Sequence, residues 1–505
     1  MSGSRVARIR SRRRVLRATL LVGASAIGSG LLAACGAGGA VSATSTTGAG
    51  LAQTTSAAPT AVTAASSLPT TTTLASTTAT GAASAATGAT TAPVPTTAAA
   101  TSAPTTAAAA QLAVWTWWPD PVPTLKQIAT NYQTKNPSVS IEVLAPSDYW
   151  NKIDAGIAGN VGPDLYFMNN VNYPSYAKKG LLTDMDPLVA RDAAIQASLK
   201  QFWPAAVTFY QFQGKNYGLP YMYTTIVLYY NADLLAAAAV PDLAGREASY
   251  DWNAQRDDAL KLTKRAGDQT QVWGLSSTQG LETGWLNWVR ANGGDYLNQD
   301  STKCLIDSAQ SAAAWTYLTD LNLKDRVSPD ATALKQGDLF LAGKLAMTPG
   351  GSWTMKTYNQ KITSFKYNIT TIPVAPDTKK SGGTTNIVGL VLNKAGKQHT
   401  QTWSFLETMM AKESMDLMAR ADVLAPVRND SAQIYYDPKL GPANRKAAFD
   451  MVQWTTPLPT ATNATYAEIT KPANDLQGKI LGGQVTVTDG LQQMAGLVNG
   501  TLGKG

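Results

Sequence analysis

Residues 112–170 read LAVWTWWPDPVPTLKQIATNYQTKNPSVSIEVLAPSDYWNKIDAGIAGNVGPDLYFMNN, and this stretch decides the fold class. Its apolar and aromatic runs predict three strands, at residues 112–118, 140–146 and 165–170. The two segments between them carry apolar residues at helical spacing, namely Leu125, Ile128, Ala129 and Tyr132, then Tyr149, Ile153 and Ile157. Strands that alternate with helices predict an α/β fold with mainly parallel strands.

The rest of the chain continues this alternation. Four later stretches are rich in β-forming residues, at 224–231, 344–350, 367–374 and 386–393, and helical runs separate them. No segment repeats at a period of 20 to 50 residues, which argues against a solenoid or a propeller. The folded part therefore starts at Leu112 and comprises about 400 residues in α/β layers.

The first 35 residues are typical of an export signal. Seven arginines and no acid precede an apolar stretch that ends in Leu-Ala-Ala-Cys at Cys35. This ending looks like a bacterial lipobox, in which the cysteine receives two acyl chains and gives a stable membrane anchor. The adjacent Arg12 and Arg13 resemble a twin-arginine signal, although Val15 departs from the usual phenylalanine. We expect an exported lipoprotein on the outer face of the cell membrane; an ordinary secretory signal is the alternative.

Residues 36–111 predict a disordered stalk. They are almost wholly Ala, Thr, Ser, Gly and Pro, with no charged residue and no aromatic ring. Such a segment cannot bury enough apolar surface to offset the entropy lost on ordering. We expect it to hold a folded domain away from the membrane.

The net charge of +8 does not indicate nucleic-acid binding. Seven of the 42 lysine and arginine residues lie in the export signal, so 35 stand against 34 acidic residues in the processed chain. The balance is then close to neutral, and we expect no nucleic-acid partner.

Motifs of most enzyme classes are absent from the sequence. It has no GxxxxGK[ST], GxSxG or CxxC motif, and its single histidine, His399, lies in a polar segment that predicts an exposed side chain. We therefore expect no cofactor and no metal site. A glycoside hydrolase with paired carboxylates stays open, because its acids follow no local spacing.

Several segments, in order, resemble the family 1 extracellular solute-binding proteins of bacterial ABC importers, the group of maltose-binding protein. They are VWTWW at 114–118, YAKKGLLTDMDPLV at 176–189, GKNYGLPYMYTTIVLYYNADLL at 214–235, FLAGKLAMTPGGSW at 340–353, NIVGLVLN at 386–393 and LAPVRND at 424–430. The resemblance covers nearly all of residues 112–505. Met222 departs from the small residue usual before the Tyr-Asn pair of the third segment.

This resemblance implies a two-lobed, periplasmic-binding-protein-like (type II) α/β fold with a hinge and a ligand cleft between the lobes. The implied first lobe is 112–221 plus about 386–427, and the second is 222–385 plus about 428–505. We place the hinge crossings near Tyr221, Thr385 and Val427. In open α/β sheets, ligands lie beyond the carboxyl ends of the strands.

The resemblance also implies a function. A monomeric, non-catalytic receptor would capture a carbohydrate and deliver it to the permease subunits of an ABC importer. Two alternatives stay open: the same fold binding a polyamine or another amine, and a surface glycoside hydrolase.

A sugar site needs flat aromatic rings and a few fixed polar groups. Trp117, Trp118 and Asp120 follow the first strand, and we expect at least one of the two tryptophans in the cleft, with Trp115 in the core. The resemblance adds five candidates, of which Trp353 is the strongest: Asp164, Glu282, Trp285, Trp353 and Tyr466. Tyr223 beside the hinge is a further candidate. A turn role for Asp164 and core packing for Tyr223 and Tyr466 are the competing interpretations.

Overall fold

The computed structural model of the chain describes residues 110–159, 161–461 and 464–503. The predicted export signal with Cys35 and residues 36–109 of the predicted stalk lie outside them. The first strand begins at Ala110, so the predicted limit of the stalk at residue 111 is two residues too late. Ala110 and Gln111 pair with Val139 and Ser140 of the next strand, and this backbone pairing draws them into the sheet.

The strands of the described chain are β1 (Ala110–Trp115), β2 (Val139–Leu144), β3 (Leu165–Asn169), β4 (Gln211–Phe212), β5 (Lys215–Asn216), β6 (Leu219–Asn231), β7 (Lys264–Ala266), β8 (Gln269–Leu275), β9 (Leu345–Gly351), β10 (Tyr367–Thr370), β11 (Gly383–Leu392), β12 (Ala425–Pro426) and β13 (Thr455–Pro457).

The helices of the first half are α1 (Val122–Lys135), α2 (Tyr149–Ala158), α3 (Tyr173–Lys178), α4 (Asp186–Ala190), α5 (Ala193–Leu199), α6 (Pro204–Val207), α7 (Ala232–Ala237), α8 (Trp252–Leu262), α9 (Trp285–Ala291) and α10 (Ala309–Leu323). Those of the second half are α11 (Ala331–Leu334), α12 (Met355–Lys361), α13 (His399–Met410), α14 (Lys412–Arg420), α15 (Asn429–Tyr435), α16 (Ala447–Asp450), α17 (Tyr466–Leu481) and α18 (Val487–Leu502). Short 3-10 turns occupy Ser352–Thr354, Pro438–Leu440 and Met451–Trp454.

The main sheet has the strand order β2-β1-β3-β11-β6-β9-β8-β7, with β10 and β12 also paired to β6 and β13 to β11. The prediction of mainly parallel strands is wrong. β1 is parallel to β2 and β3, and β8 is parallel to β9, but β6 and β11 run antiparallel to each other and to β9 and β3 respectively. The sequence pattern of alternating strands and helices does not reveal the direction of these two long central strands.

β6 joins the two halves of the sheet. Thr225 of β6 pairs with Thr385 of β11, whereas the next residue, Ile226, pairs with Gly351 of β9. All thirteen residues of β6 are buried, as expected for a strand covered on both faces. The lobe boundaries and hinge crossings derived from the sequence stay predictions.

The helices predicted for the first part of the chain are confirmed. Leu125, Ile128, Ala129 and Tyr132 are the buried residues of α1, and α2 buries Tyr149, Ile153 and Ile157. Both helices therefore cover the sheet with the face that their apolar spacing predicts.

A close contact fixes the centre of the sheet. The single proton of the Tyr210 hydroxyl is shared between the backbone oxygens of Met168 in β3, at 2.6 Å, and Ile387 in β11, at 2.9 Å. A Cβ atom at Gly389 would lie 2.3 Å from the Tyr210 ring, so only glycine allows this approach. The contact therefore holds β3 and β11 together at the centre of the sheet.

Two further side chains are those of His399 and Cys304, and the first confirms the exposure that the polar segment around His399 predicts. His399 is exposed at the start of α13, and the thiol of Cys304 is buried and forms no disulfide in the described chain. Among the described residues, no helix is both long enough and apolar enough to cross a membrane.

Candidate ligand-binding site

A cavity of about 420 Å³ lies beyond the carboxyl ends of β1, β3 and β9. Its apolar wall consists of Trp117, Trp118, Trp353, Tyr358, Val388, Val423 and Leu424. Its polar wall consists of Asp120, Asn169, Thr224, Glu282, Asp338, Thr354, Thr357 and Asn386. This volume is within the range of small-molecule sites, and its position is the one that open α/β sheets favour.

The first tryptophan pair comes directly after β1. Pro119 cannot donate a backbone hydrogen bond and leads the chain into the turn before α1. Trp117 and Trp118 are half-buried, and their ring centroids are 4.5 Å apart. Trp117 also stacks on Trp150 of α2, at 5.8 Å. These contacts hold two indole rings at the cavity edge before any ligand arrives, which lowers the entropy cost of binding.

Trp353 faces the cavity from the 3-10 turn after β9, and 37% of it is exposed. A Cβ atom at Gly351 would lie 2.2 Å from three carbon atoms of the Trp353 ring. The ring therefore lies flat on the backbone at Gly351, which only a glycine permits. The Gly-Gly-Ser-Trp sequence therefore holds an exposed indole ring beside the cavity through a local contact.

Glu282 and Asn386 form the polar pair of the cavity. The Asn386 side-chain amide donates a hydrogen bond of 2.7 Å to one carboxylate oxygen of Glu282. Burial raises the pKa of Glu282 to about 7, although the Asn386 hydrogen bond lowers it. Near neutral pH, Glu282 can therefore accept or donate a hydrogen bond, depending on its protonation state.

Several polar groups in the cavity are not used by the fold. The side-chain oxygen of Asn386 is buried without a partner in the described chain. Within the same part of the chain, the side chains of Asp120, Thr354 and Thr357 also have no hydrogen-bond partner. Buried polar groups are normally paired, so the Asn386 oxygen indicates a ligand that donates a hydrogen bond. Asp120 is exposed and Thr354 and Thr357 are half-buried, so their free oxygens can bond to the same ligand or to water.

Three carboxylates line the cavity: Asp120, Glu282 and Asp338. Asp338 accepts a hydrogen bond of 3.1 Å from the Tyr358 hydroxyl and one of 2.9 Å from the backbone N–H of Leu341. Among the described residues, no lysine, arginine or histidine lines this cavity, and none forms an ion pair with these three acids. The electrostatics disfavour an anionic ligand.

A family model for bacterial extracellular solute-binding proteins matches residues 127–449. The chain belongs to this family. The resemblance seen in the sequence is thereby confirmed at the level of the family.

Individual relatives and solved structures agree with this assignment. A protein of Brucella abortus, named as a binding protein without a stated ligand, is 22% identical over 62% of this chain and 75% of its own length. The diacetylchitobiose binding protein DasA of Streptomyces coelicolor is 22% identical over 59% of this chain and 68% of its own. The ABC substrate-binding protein Lmo0181 from Listeria monocytogenes, solved with cycloalternan, is 24% identical, covers 78% of this chain and 99% of its own, and has a TM-score of 0.68. The structural match confirms the predicted two-lobed α/β fold.

The candidate site residues of this solute-binding protein divide into two groups. Five of them line the same cavity, the one of about 420 Å³: Trp117, Trp118, Asp120, Glu282 and Trp353. Both tryptophans of the first pair face it, where at least one was expected, and Trp115 packs against the core. The contact of these five with a ligand stays a prediction.

Asp164 lies elsewhere. It precedes β3, and its carboxylate accepts a hydrogen bond of 2.9 Å from the backbone N–H of Ala113 in β1. The cavity is at the other end of β3, where Asn169 is the last strand residue. Asp164 therefore fixes the pairing of β1 with β3, a structural role different from the turn role that competed with ligand binding.

Three aromatic candidates also lie outside the cavity wall. Trp285 is fully buried, its ring packs against Trp315 at 5.1 Å, and its indole N–H donates to the side-chain oxygen of Gln477 at 3.2 Å. Tyr223 is buried and forms a hydroxyl–hydroxyl hydrogen bond with Tyr436. The structure thus places Trp285 and Tyr223 in the core, because each has its polar atom satisfied inside the protein.

Tyr466, at the start of α17, is half-buried and does not line the cavity. Burial raises its pKa, and the neighbouring Glu282 carboxylate raises it further. Tyr466 is therefore an electrostatic neighbour of the site rather than part of its wall.

The sequence predictions missed most of the polar wall. The missed lining residues are Asn169, Thr224, Asp338, Thr354, Thr357, Tyr358, Asn386, Val388, Val423 and Leu424. One of them had a usable signal: Asn169 ends the strand LYFMN, and the rule that ligands lie beyond carboxyl strand ends favours it over Asp164. The others come from segments that only the tertiary fold brings together.

Proposed function

We propose that this protein is a non-catalytic extracellular receptor that captures a carbohydrate and delivers it to the permease subunits of an ABC importer. In this proposal, acylated Cys35 anchors it to the outer face of the cell membrane, and residues 36–109 span the distance to the folded domain. It acts as a monomer and needs no cofactor.

The observation that carries the proposal is the composition of the cavity. Three indole rings, Trp117, Trp118 and Trp353, stand beside polar groups that have no partner within the described chain. A sugar ring has apolar C–H faces that stack on aromatic rings and hydroxyls that need hydrogen-bond partners. The names of DasA and of the Listeria structure, with its bound cycloalternan, support a carbohydrate as the ligand class.

The arrangement of the wall supports closure as the mode of capture. Trp117 follows β1 and Trp353 follows β9, at opposite sides of the central strands β11 and β6. A ligand that touches both sides stabilises the closed state more than the open one, and only such a difference shifts the population. The permease would then recognise the closed form.

Titration of tryptophan fluorescence tests the proposal, because the three indoles lie in the wall. We expect a saturable change with at least one neutral sugar from a panel of mono- and oligosaccharides. Mass spectrometry of the ligand released from the purified protein identifies the sugar independently. A panel without any response, together with no released sugar, would contradict carbohydrate binding. Hydrolysis products in the titrated sample would contradict a non-catalytic role and favour a glycoside hydrolase.

An amine ligand is a second candidate, favoured by the three carboxylates in a cavity wall to which the described residues contribute no cationic side chain. Aromatic rings and carboxylates together can hold an ammonium group. The same titration with putrescine and spermidine separates the two ligand classes. A response to these amines in the absence of any response to sugars would favour the second candidate.

The anchor is tested separately. In the native host, Cys35→Ala removes the only thiol that the lipobox pattern offers for acylation, so we expect the full chain to lose its membrane association. Cell fractionation followed by immunoblotting measures it, with Cys304→Ala as the matched control. A Cys35→Ala protein that stays in the membrane fraction would rule out this anchor.

A further inference from the structure

Glu282 and Asn386 form a hydrogen-bonded pair between two distant parts of the chain. Glu282 lies in the loop before α9, and Asn386 lies in β11, where it pairs with Thr224 of β6. Both side chains line the cavity of about 420 Å³, and the Asn386 amide donates to one Glu282 oxygen at 2.7 Å. The chemistry that this pair offers a ligand depends on which end of the Asn386 amide faces the cavity.

The fold fixes the pair before any ligand arrives. The backbone oxygen of Glu282 accepts hydrogen bonds of 2.9 Å from the Asn287 side-chain amide and from the Thr384 hydroxyl. The Asn287 side-chain oxygen accepts another, also of 2.9 Å, from the backbone N–H of Thr384. Asn287 and Thr384 are buried, and Thr384 is two residues before Asn386 in β11. The loop is therefore tied to β11 close to the point where the Glu282 carboxyl meets the Asn386 amide.

The charge on Glu282 decides how this amide is oriented. A carboxylate only accepts hydrogen bonds, so Asn386 gives it the NH₂ group and turns its own oxygen away. That oxygen is buried in the cavity wall without a partner in the described chain, and it can accept from a ligand hydroxyl. A protonated carboxyl can also donate. The amide can then reverse, with its oxygen on Glu282 and its NH₂ group toward the ligand.

Glu282 has other charged or titratable groups around it. In the described chain, those that share its cavity wall or lie in its electrostatic surroundings are Asp120, Asp338, Arg290 of α9 and Tyr466 of α17. None of them bonds to the Glu282 carboxyl, whose one hydrogen-bond partner among the described residues is Asn386. Burial raises the pKa of Glu282 to about 7, so this carboxyl gains and loses its proton near neutral pH.

We propose that Glu282 is a positioning residue for ligand binding: its charged carboxylate turns the Asn386 oxygen toward the cavity, and a proton on Glu282 removes this constraint. The inference rests on the proposed carbohydrate function. A sugar hydroxyl that donates to Asn386 favours the charged form of Glu282. Sugar affinity therefore rises with pH, and sugar binding releases protons. The receptor thus holds its sugar more firmly in neutral than in acidic surroundings.

Calorimetric titration of the whole protein with maltotriose and with diacetylchitobiose, at pH 6, 7 and 8, tests the inference. For a sugar that binds, we expect the dissociation constant to fall about three- to tenfold from pH 6 to pH 8. Titrations at pH 7 in buffers of different ionisation enthalpy should show release of up to about 0.5 proton per sugar, because about half of the Glu282 carboxyls are then protonated. A dissociation constant independent of pH, or net uptake of protons, would overturn the inference and leave the carbohydrate function standing.

Amide substitutions separate Glu282 from the other acids of the wall. Glu282→Gln is neutral at every pH and can bond to either end of the Asn386 amide. We therefore expect a pH-independent affinity, close to that of the unmodified protein at pH 6. Asp338→Asn is the matched control in the same wall and should keep the pH dependence. A Glu282→Gln protein that keeps the pH dependence, or an Asp338→Asn protein that loses it, would assign the titration to another group and contradict the inference.

Asn386→Ala tests whether Glu282 acts through the amide. Without the amide, we expect weaker sugar binding at pH 8 and no remaining pH dependence between pH 6 and pH 8. A pH dependence that persists would show that the Glu282 carboxyl contacts the sugar itself, and the positioning role would be wrong. If melting curves show that Asn386→Ala does not fold, Asn386→Val, whose side chain suits a strand, replaces it.

Failure of the carbohydrate function gives a different result. In that case no sugar binds at any of the three pH values, and none is released from the purified protein. The inference then falls together with the proposed function.

Discussion

Trp285 and Trp353 were both predicted ligand contacts, and both follow a glycine-containing turn, but the structure treats them in opposite ways. Trp285 is fully buried at the first position of α9, whereas 37% of Trp353 is exposed in the turn after β9. The difference lies in their partners. Trp285 packs on Trp315 and bonds to Gln477, while Trp353 rests on its neighbour Gly351 and leaves its surface to the cavity.

The two tryptophans differ in how far along the chain their packing partners lie. The partner that holds Trp353 is two residues away, so the Gly-Gly-Ser-Trp sequence itself carries the signal. The partners that bury Trp285 come from α10 and α17, and Gln477 is 192 residues away along the chain. A local motif can therefore predict an exposed ring, but it cannot reveal distant residues that cover it.

Trp285→Ala gives the largest expected effect. It removes a fully buried indole and leaves a cavity against Trp315, which costs about 3 to 5 kcal/mol of unfolding free energy. Urea denaturation followed by circular dichroism measures this loss, with Trp353→Ala as the comparison. A Trp285→Ala protein of unchanged stability and weakened ligand binding would place Trp285 in the site. It would contradict the distinction between Trp285 as a core residue and Trp353 as a ligand-facing residue.

Glu282 lies between the buried surroundings of Trp285 and the cavity beside Trp353. It precedes α9, which begins with Trp285, and it lines the cavity that Trp353 faces. Its pKa is raised from 4.5 to about 7 by burial, so the folded protein binds a proton that the unfolded chain has released between these pH values. The free energy of unfolding should therefore fall as pH rises through this window, by an amount on the order of 3 kcal/mol. Glu282→Gln, which resembles the protonated form, should lack this contribution.

The measurement for Glu282 is a set of urea denaturation curves from pH 4 to pH 8 for both proteins. The stability difference in favour of Glu282→Gln should grow as pH rises and level off above about pH 7. A constant difference across the range would mean that the Glu282 carboxyl titrates normally in the folded protein.

Trp353→Ala should affect binding rather than folding. We expect the binding free energy to weaken by more than about 1 kcal/mol, because stacked aromatic contacts contribute about 0.5 to 1.5 kcal/mol beyond their buried area. The unfolding free energy should change by less than it does in Trp285→Ala, since the ring is partly exposed. Calorimetric titration with the sugar identified from the purified protein measures the first quantity. An unchanged dissociation constant would remove Trp353 from the site.

Local sequence patterns were enough to predict the helices and strands and part of the candidate site. The apolar spacing in α1 and α2 predicted their buried faces, and the end of the first strand predicted Trp117 and Trp118. Trp353 was predicted from the family resemblance. The antiparallel direction of β6 and β11 could not be predicted, because it depends on which strands meet across the sheet. The polar wall was missed for the same reason: Asn386, Asp338 and Thr357 are ordinary in their own segments and become neighbours only in the fold.

Gly351→Ala gives the smallest expected effect. It tests whether Gly351 holds the Trp353 ring in its ligand-facing position. The Cβ atom of the alanine would lie 2.2 Å from the Trp353 ring, so the ring has to turn away, while the backbone angles at Gly351 suit alanine. We expect binding to weaken by about 0.5 to 1 kcal/mol, the cost of an unfavourable side-chain rotamer. In a Trp353→Ala background the same substitution should have no further effect on the dissociation constant, because no ring remains to displace. Additive effects of the two substitutions would show that Gly351 acts on the ligand by another route than the position of Trp353.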